Sequence, residues 1–520
     1  MTRASAARLR GGEASVAPSK IVPIGLASLL AGAATLTPPP ARAIDEVVIK
    51  LPLLETTFTL RVSELSSADG LLRGNSDLAE LDRASSGSLG RQLRNMLQQP
   101  LPLGLSRATD QAVGTPMLEQ AMLMLSSFGR IDGQPRDLSG EELRLALERA
   151  SANGHPTLLS LLQAIPGKRV TLDMAQVAKV LQRMVAQRRQ AEQLVSSLPP
   201  ATPARTPQRA ASVQRRTLSL AVAHRPQPLE LTVLEPQSGA NGRLVLISHG
   251  LWDGPASFEG WGQLLAGAGY TVVLPRHPGS DAHQQQAMLS GEAPPPSHQE
   301  LELRPLDLSA VLDALADGRL KLDQAVDAKR VVVIGHSWGA TTALLLAGVQ
   351  PSDSEAPRCS NPDDPGRNLS WALQCSWLQG VGKNQLGDER VIAVGAVSPP
   401  VSLLFPPGAA QNLSARVLLV SGSRDWVVPP DPEAIQPMRA NVASGNRLVL
   451  ASGGDHFNLR PGSDGGGGVL GPLLLSWTDA SFRAGPGVRP APQAPNLLPP
   501  DGWGNAELTL VDVSDRIGQP

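Results

Sequence analysis

The chain has 520 residues, too many for one ordinary domain, and length alone suggests about three. Its formal net charge is -1 and charged residues make up 18% of it, so no global field draws it to nucleic acid or to an acidic membrane. Every tryptophan lies at or beyond Trp252, which sets the two halves apart as different domains.

Arg3, Arg8, Arg10 and Lys20 precede an apolar run from Ile21 to Leu36, then Pro38 to Pro40 and Ala41-Arg42-Ala43. Basic region, short hydrophobic core and small-x-small site are the order of a secretory signal over residues 1–43, with cleavage after Ala43. A membrane-spanning helix needs about 20 apolar residues, and this run, with Pro23 near its start, is shorter. The expectation is an exported chain, in the periplasm, a thylakoid lumen or the medium.

Residues 44–198 read as a mainly helical accessory domain. Leu78 to Leu97, Pro116 to Phe128, Gly140 to Ser151 and Met174 to Leu198 place apolar residues three and four apart. Ser139 and Asp173 stand where N-caps belong. Ile44 to Val62 alternates instead, as strands or a hairpin would. His155, before Pro156, reads as a turn residue, and Arg183, Arg188 and Arg189 as a solvated helix face. Residues 199–216, rich in proline and arginine, have linker composition; Arg205, Arg209, Arg215 and Arg216 keep it solvated or touch an anionic lipid surface.

From residue 217 strands alternate with helices, the pattern of an α/β sheet. Thr217 to Ala223 and Leu229 to Leu234 form a hairpin. Leu244 to Ser248 is a strand ending at His249-Gly250-Leu251-Trp252. Phe258 to Ala268 makes a helix, Thr271 to Leu274 a strand, and Asp307 to Ala316 another helix. The β-branched run Val331 to Ile334 then breaks into Gly335-His336-Ser337-Trp338-Gly339, which fits G-x-S-x-G. Thr341 to Val349 supplies the helix such an elbow requires. Arg390 to Val397, Val417 to Val420 and Arg447 to Ala451 complete the strands, leaving 486–520 as a Pro/Gly-rich tail. The catalytic domain thus spans 217–485.

A serine hydroxyl becomes a nucleophile when a base takes its proton. Downstream of Ser337, Asp425 follows the strand VLLVSG and His456 follows RLVLAS, so both leave the strand ends that carry the serine. Asp455 and His336 are poor rivals, because adjacent side chains point apart. The oxyanion needs backbone donors: the Trp338 N–H directly after the nucleophile, and Leu251 N–H in the loop after the early strand. Trp252, Trp338 and Trp426 beside these positions, with Trp371 and Trp377, indicate an apolar pocket. The insertion from Pro351 to Gly380 reads as a lid, with Cys359 and Cys375, the two cysteines of the chain, either as a disulfide that holds it compact or as free buried thiols. His277, Asp281 and His283 suggest a metal site on paper, but serine chemistry requires no metal or cofactor.

His249-Gly250, Arg304-Pro305-Leu306-Asp307, Gly335-His336-Ser337-Trp338-Gly339, Gly422-Ser423-Arg424-Asp425 and Gly454-Asp455-His456-Phe457, in that order, resemble the α/β-hydrolases. The resemblance is strongest to dienelactone-hydrolase-like and platelet-activating-factor-acetylhydrolase-like proteins, and the whole arrangement is similar to exported cyanobacterial hydrolases whose N-terminal domain has no assigned function. It implies an α/β-hydrolase fold, a mostly parallel sheet with helices on both faces, and a serine esterase or lipase acting on small or lipid-like esters. True dienelactone hydrolases carry cysteine where this chain has Ser337, which turns the expectation toward carboxylic esters. An acyltransferase would use the same acyl-enzyme, and a binding protein could keep the fold without the chemistry.

Overall fold

Alternation near the N-terminus produces two strands, β1 (Glu46–Lys50) and β2 (Thr57–Arg61), paired antiparallel. In this computed structural model the described residues run from 43 to 517, except 53–55, 68, 103, 135–138, 153, 155, 204–210, 383, 411–412, 440, 442–445, 463–465 and 485–495. The leader before Ala43, His155, and Arg205 and Arg209 of the linker lie outside them. β3 (Gly129–Ile131) and β4 (Arg169–Asp173) complete a small sheet of order β2-β1-β4-β3. Helices cover it, with Ile44, Val62, Leu65, Leu71 and Leu78 buried together.

The helix expected over 78–97 is two, Asp77–Ala84 and Ser88–Leu97. Gly87 between them adopts a φ of 77°, a conformation that ends a helix and that glycine enters freely. Gly140–Ser151 begins with a reciprocal capping box between Ser139 and Glu142. Met174–Ser197 is capped by Asp173, whose carboxylate accepts from the amides of Ala175 and Gln176.

The larger sheet is built from β5 (Val213–Leu220), β6 (Leu229–Pro236), β7 (Arg243–Ser248), β8 (Thr271–Pro275), β9 (Asp327–His336), β10 (Val391–Val397), β11 (Arg416–Gly422), β12 (Arg447–Ala451) and β13 (Leu510–Asp512), in the order β13-β12-β11-β10-β9-β7-β8-β6-β5. The six strands from β12 to β8 are parallel, and the edges are antiparallel. β7, β8, β10 and β11 are almost wholly buried, as apolar runs covered by helices on both faces must be. Arg215 and Arg216, read as linker, belong to β5 and pair with Glu259 and with Glu235 and Asp323.

Three expectations change. β12 is not the last strand: Leu510–Asp512 pairs with it, and Trp503 from the tail is buried. The helix placed at Asp307 starts at Glu300 and runs through Pro305 to Ala316. The insertion is no loose lid. Cys359 and Cys375 are bonded, and Trp371 and Trp377 are fully buried against Trp338, Leu345, Leu403 and Leu404. On its other side Arg183 donates to the Asp364 carbonyl, and Gln187 to those of Pro365 and Arg367. An element gripped on both flanks cannot swing without exposing that cluster.

Candidate active site

Ser337 sits between β9 and the helix Trp338–Leu346, with φ 54° and ψ -124°. For a residue with a side chain this backbone region is sparsely populated, and it persists where the surroundings over-determine it. They do so here. The Ser337 amide donates to the Val397 carbonyl at 2.8 Å, and a side chain at Gly335 would collide with the Gly339 carbonyl, one at Gly339 with the Ser248 carbonyl. Trp252 and Ser398, at the ends of neighbouring strands, also take positive φ.

The loops after β11 and β12 are laced together, Ser423 N–H to the Ala451 carbonyl at 2.9 Å and Arg424 N–H to the Gly454 carbonyl at 2.8 Å. They bring Asp425 Oδ2 to 2.9 Å from His456 Nδ1. Asp425 is fully buried, and its Oδ1 accepts from the amides of Val427 and Val428 at 3.0 and 2.8 Å. Asp455 instead closes its own turn, accepting from Phe457 and Asn458 amides at 2.8 Å each. His336 stands beside His456, ring centroids 4.7 Å apart, and donates from Nε2 to the His456 carbonyl at 2.9 Å. Burial holds the His336 imidazole well below its usual range, reinforced by the proximity of His456. A neutral His336 anchors the backbone of His456.

The loop after β7 approaches Ser337 closely: a Cβ at Gly250 would lie 3.4 Å from that of Ser337. Leu251 follows, half-buried. Trp338 opens its helix, where the first-turn amides have no intrahelical acceptor. Beneath this loop lies a buried polar network. Arg304, fully buried, donates to the carbonyls of His249 (2.8 Å) and Gly250 (3.2 Å) and to Ser280 Oγ (2.9 Å) and O (3.4 Å). Its guanidinium lies 4.3 Å from the Trp338 ring centroid.

His249 Nδ1 donates to the Gly250 carbonyl, and its Nε2 accepts from the His277 amide. His277 binds Asp307 through Nδ1 and Ser248 Oγ through Nε2. Arg225 bridges Asp307 and Glu300. Burial lowers His249 far and His277 to about 4, the latter against the pull of Asp307. Both rings are therefore neutral, and two guanidiniums meet two carboxylates. Burial acts to raise the Asp307 carboxyl, but hydrogen bonds from His224, His277 and Arg225 win and hold it below the carboxylate range. Burial brings Arg304 down to about 9, still a cation at neutral pH.

In the sequence His249, His277, Arg304 and Asp307 stand out singly, with nothing to join them into one network. Its trace is the spacing of Glu300, Arg304 and Asp307, which places three charges on the face of one helix that also carries Leu308 and Val311. His277 has both ring nitrogens engaged, which leaves neither for a metal.

Of the tryptophans placed around the pocket, Trp426 is 45% exposed and lies near Phe457, 54% exposed, with ring centroids 6.4 Å apart. Trp252 is half-buried and donates from Nε1 to Gln284. Trp338, Trp371 and Trp377 are core. A cavity of about 960 Å³ lies between the 174–197 helix, the insertion and the loops after β10 and β11; Ser337, Asp425 and His456 are not among its lining residues. Side-chain geometry, not volume, locates the site.

Residues 244–464 match the family model described as alpha/beta hydrolase family. Residues 43–173 match one described as alpha/beta hydrolase of unknown function (DUF1400). No curated protein matches the chain. Sheet order, the strand-to-helix elbow at Ser337 and these two matches together give the chain an α/β-hydrolase fold.

Proposed function

We propose that the protein is an exported serine hydrolase that cleaves carboxylic esters through an acyl-enzyme on Ser337. The observation that carries this reading is the Asp425 to His456 hydrogen bond at 2.9 Å, with the His456 ring 4.7 Å from that of His336, the residue that precedes Ser337 in its elbow conformation. With Nδ1–H given to Asp425, the other His456 nitrogen is free to take the Ser337 proton. Ser337 Oγ attacks the ester carbon, and the oxyanion forms within reach of the Leu251 and Trp338 amides. Collapse expels the alcohol, which receives its proton from His456. Water, deprotonated by the same imidazole, then attacks the acyl carbon, and the acid leaves as Ser337 is restored.

Trp252 and Trp426, with Phe457, supply apolar surface for the non-reacting part of the ester, a small-molecule or lipid-like one. Ser337 in place of cysteine favours carboxylic esters within the narrower dienelactone-hydrolase-like or platelet-activating-factor-acetylhydrolase-like likeness. Export is supported by the Cys359–Cys375 disulfide, a bond that persists in oxidising compartments. No described helix is long and apolar enough to cross a membrane. A fluorophosphonate probe followed by peptide mass spectrometry tests the assignment, and p-nitrophenyl esters of graded chain length define the substrate. Label on another serine, or none, would sink it.

A further inference from the structure

We infer that Arg304 is a positioning residue that sets both oxyanion-hole amides at once, and this rests on the Ser337 acyl-enzyme reading. The argument begins with one peptide unit. The Gly250 carbonyl and the Leu251 N–H belong to the same plane and, in a trans peptide, point to opposite sides. Arg304 and His249 Nδ1 both donate to that carbonyl, at 3.2 and 2.8 Å. Fixing the oxygen toward the interior turns the Leu251 N–H outward, on the side of the loop where Gly250 abuts Ser337. The bond from Arg304 to the His249 carbonyl, at 2.8 Å, removes the remaining freedom of the preceding peptide.

The same guanidinium lies 4.3 Å from the Trp338 ring centroid. That contact holds the residue whose amide is the second donor. Nothing on the surface could substitute for it: Arg304 is fully buried, and its charge is offset by the nearby Glu300 and Asp307, which also pair with Arg225, rather than by solvent. A cation donating to the Gly250 carbonyl also polarises that peptide, which makes its N–H a better donor to developing negative charge. Transition-state stabilisation needs donors already aimed when charge appears. Arg304 is suited to supply that aim without touching substrate.

The test compares wild type with Arg304→Lys, Arg304→Gln and Ser280→Ala, each scored per active site by fluorophosphonate titration. Turnover of a p-nitrophenyl ester and the affinity of an alkylboronic acid, which forms a tetrahedral adduct on the serine, are both measured. The expected result for Arg304→Gln is a fall of about 10²-fold in kcat with KM little changed, the scale of losing one oxyanion donor, and a parallel loss of boronate affinity. Arg304→Lys, which keeps the charge but reaches fewer carbonyls, should lie between. Ser280→Ala changes no charge and removes the partner of Arg304 Nε together with a long 3.4 Å bond from Ser280 Oγ to Glu300; it should lose several-fold in kcat and decides the matter if both arginine variants fail to fold. Unchanged kcat and boronate affinity per titrated site in the folded variants would overturn the inference. A wild type that takes no label at Ser337 would instead overturn the acyl-enzyme reading.

Discussion

Asp425 spends both carboxylate oxygens inside the protein, one on the amides of Val427 and Val428 and one on His456. It is built to hold an imidazole in one orientation. Asp425→Asn should therefore cost on the order of 10⁴ in turnover, as loss of the acid does in the serine-protease triad, because an amide nitrogen offers His456 the wrong partner. Asp455→Asn should cost little, since the Asn oxygen can still accept from Phe457 and Asn458. Steady-state kinetics on the two variants checks this; the reverse ranking would place the acid on the wrong loop. Ser337→Ala should lose ester hydrolysis and probe labelling with an unchanged melting curve. Retained turnover in that purified variant would remove Ser337 from the mechanism.

The insertion is fastened at one carboxylate. Glu433, fully buried, accepts from the amides of Val401 and Ser402 at 2.7 and 2.8 Å, and from Ser402 Oγ, Asn368 Nδ2 and Gln374 Nε2. Glu433→Leu strands those donors, and each buried donor left unsatisfied costs about 1–3 kcal/mol. We expect a loss above about 3 kcal/mol in urea denaturation; under about 1 kcal/mol would mean that the insertion does not depend on this anchor. Reduction of the disulfide should cost about 3 kcal/mol through the loop it closes. Because the buried tryptophans and Glu433 keep the segment docked, the chain-length preference of ester hydrolysis should stay as in the oxidised protein. A shifted preference would restore the lid.

Three buried histidines tie the stability of the whole molecule to pH. His249, His277 and His336 are all depressed by burial from a usual value of about 6.5. Between that value and their folded ones the unfolded chain binds protons that the folded chain refuses. Their contribution to stability is complete above about pH 6.5 and declines as pH falls, for His277 down to about 4, by up to about 1.4 kcal/mol per pH unit for each histidine. Denaturation midpoints at pH 8, 6 and 5 should fall in that order. A flat series would show that the folded state accepts the protons.

The parts of this design legible in the sequence are those with a local signature. Strand, elbow and apolar helix around Ser337 announce themselves within a short window, and the loops of Asp425 and His456 each follow an apolar strand. The Arg304 network assembles residues from separate elements, so the helical spacing of Glu300, Arg304 and Asp307 is its one local trace. β13 lies in a proline- and glycine-rich stretch, and only pairing with β12 makes it a strand. The insertion reads as a lid from its place after the helix that follows Ser337, and only its buried tryptophans and its contact with the helical region, neither of them local in sequence, fasten it to the core.

β13 also bears on when the enzyme becomes active. Val449, Leu450 and Ala451, on the strand leading to His456, take their outer partners from Asp512, Val511 and Leu510. During synthesis that strand is an open edge until these residues emerge. His456 is thus anchored late, after Ser337 and Asp425 have been laid down, and on the acyl-enzyme reading the nascent chain should stay unreactive until then. A chain stopped at Arg483 should take fluorophosphonate poorly, and a peptide spanning residues 496–517 added in trans should restore labelling.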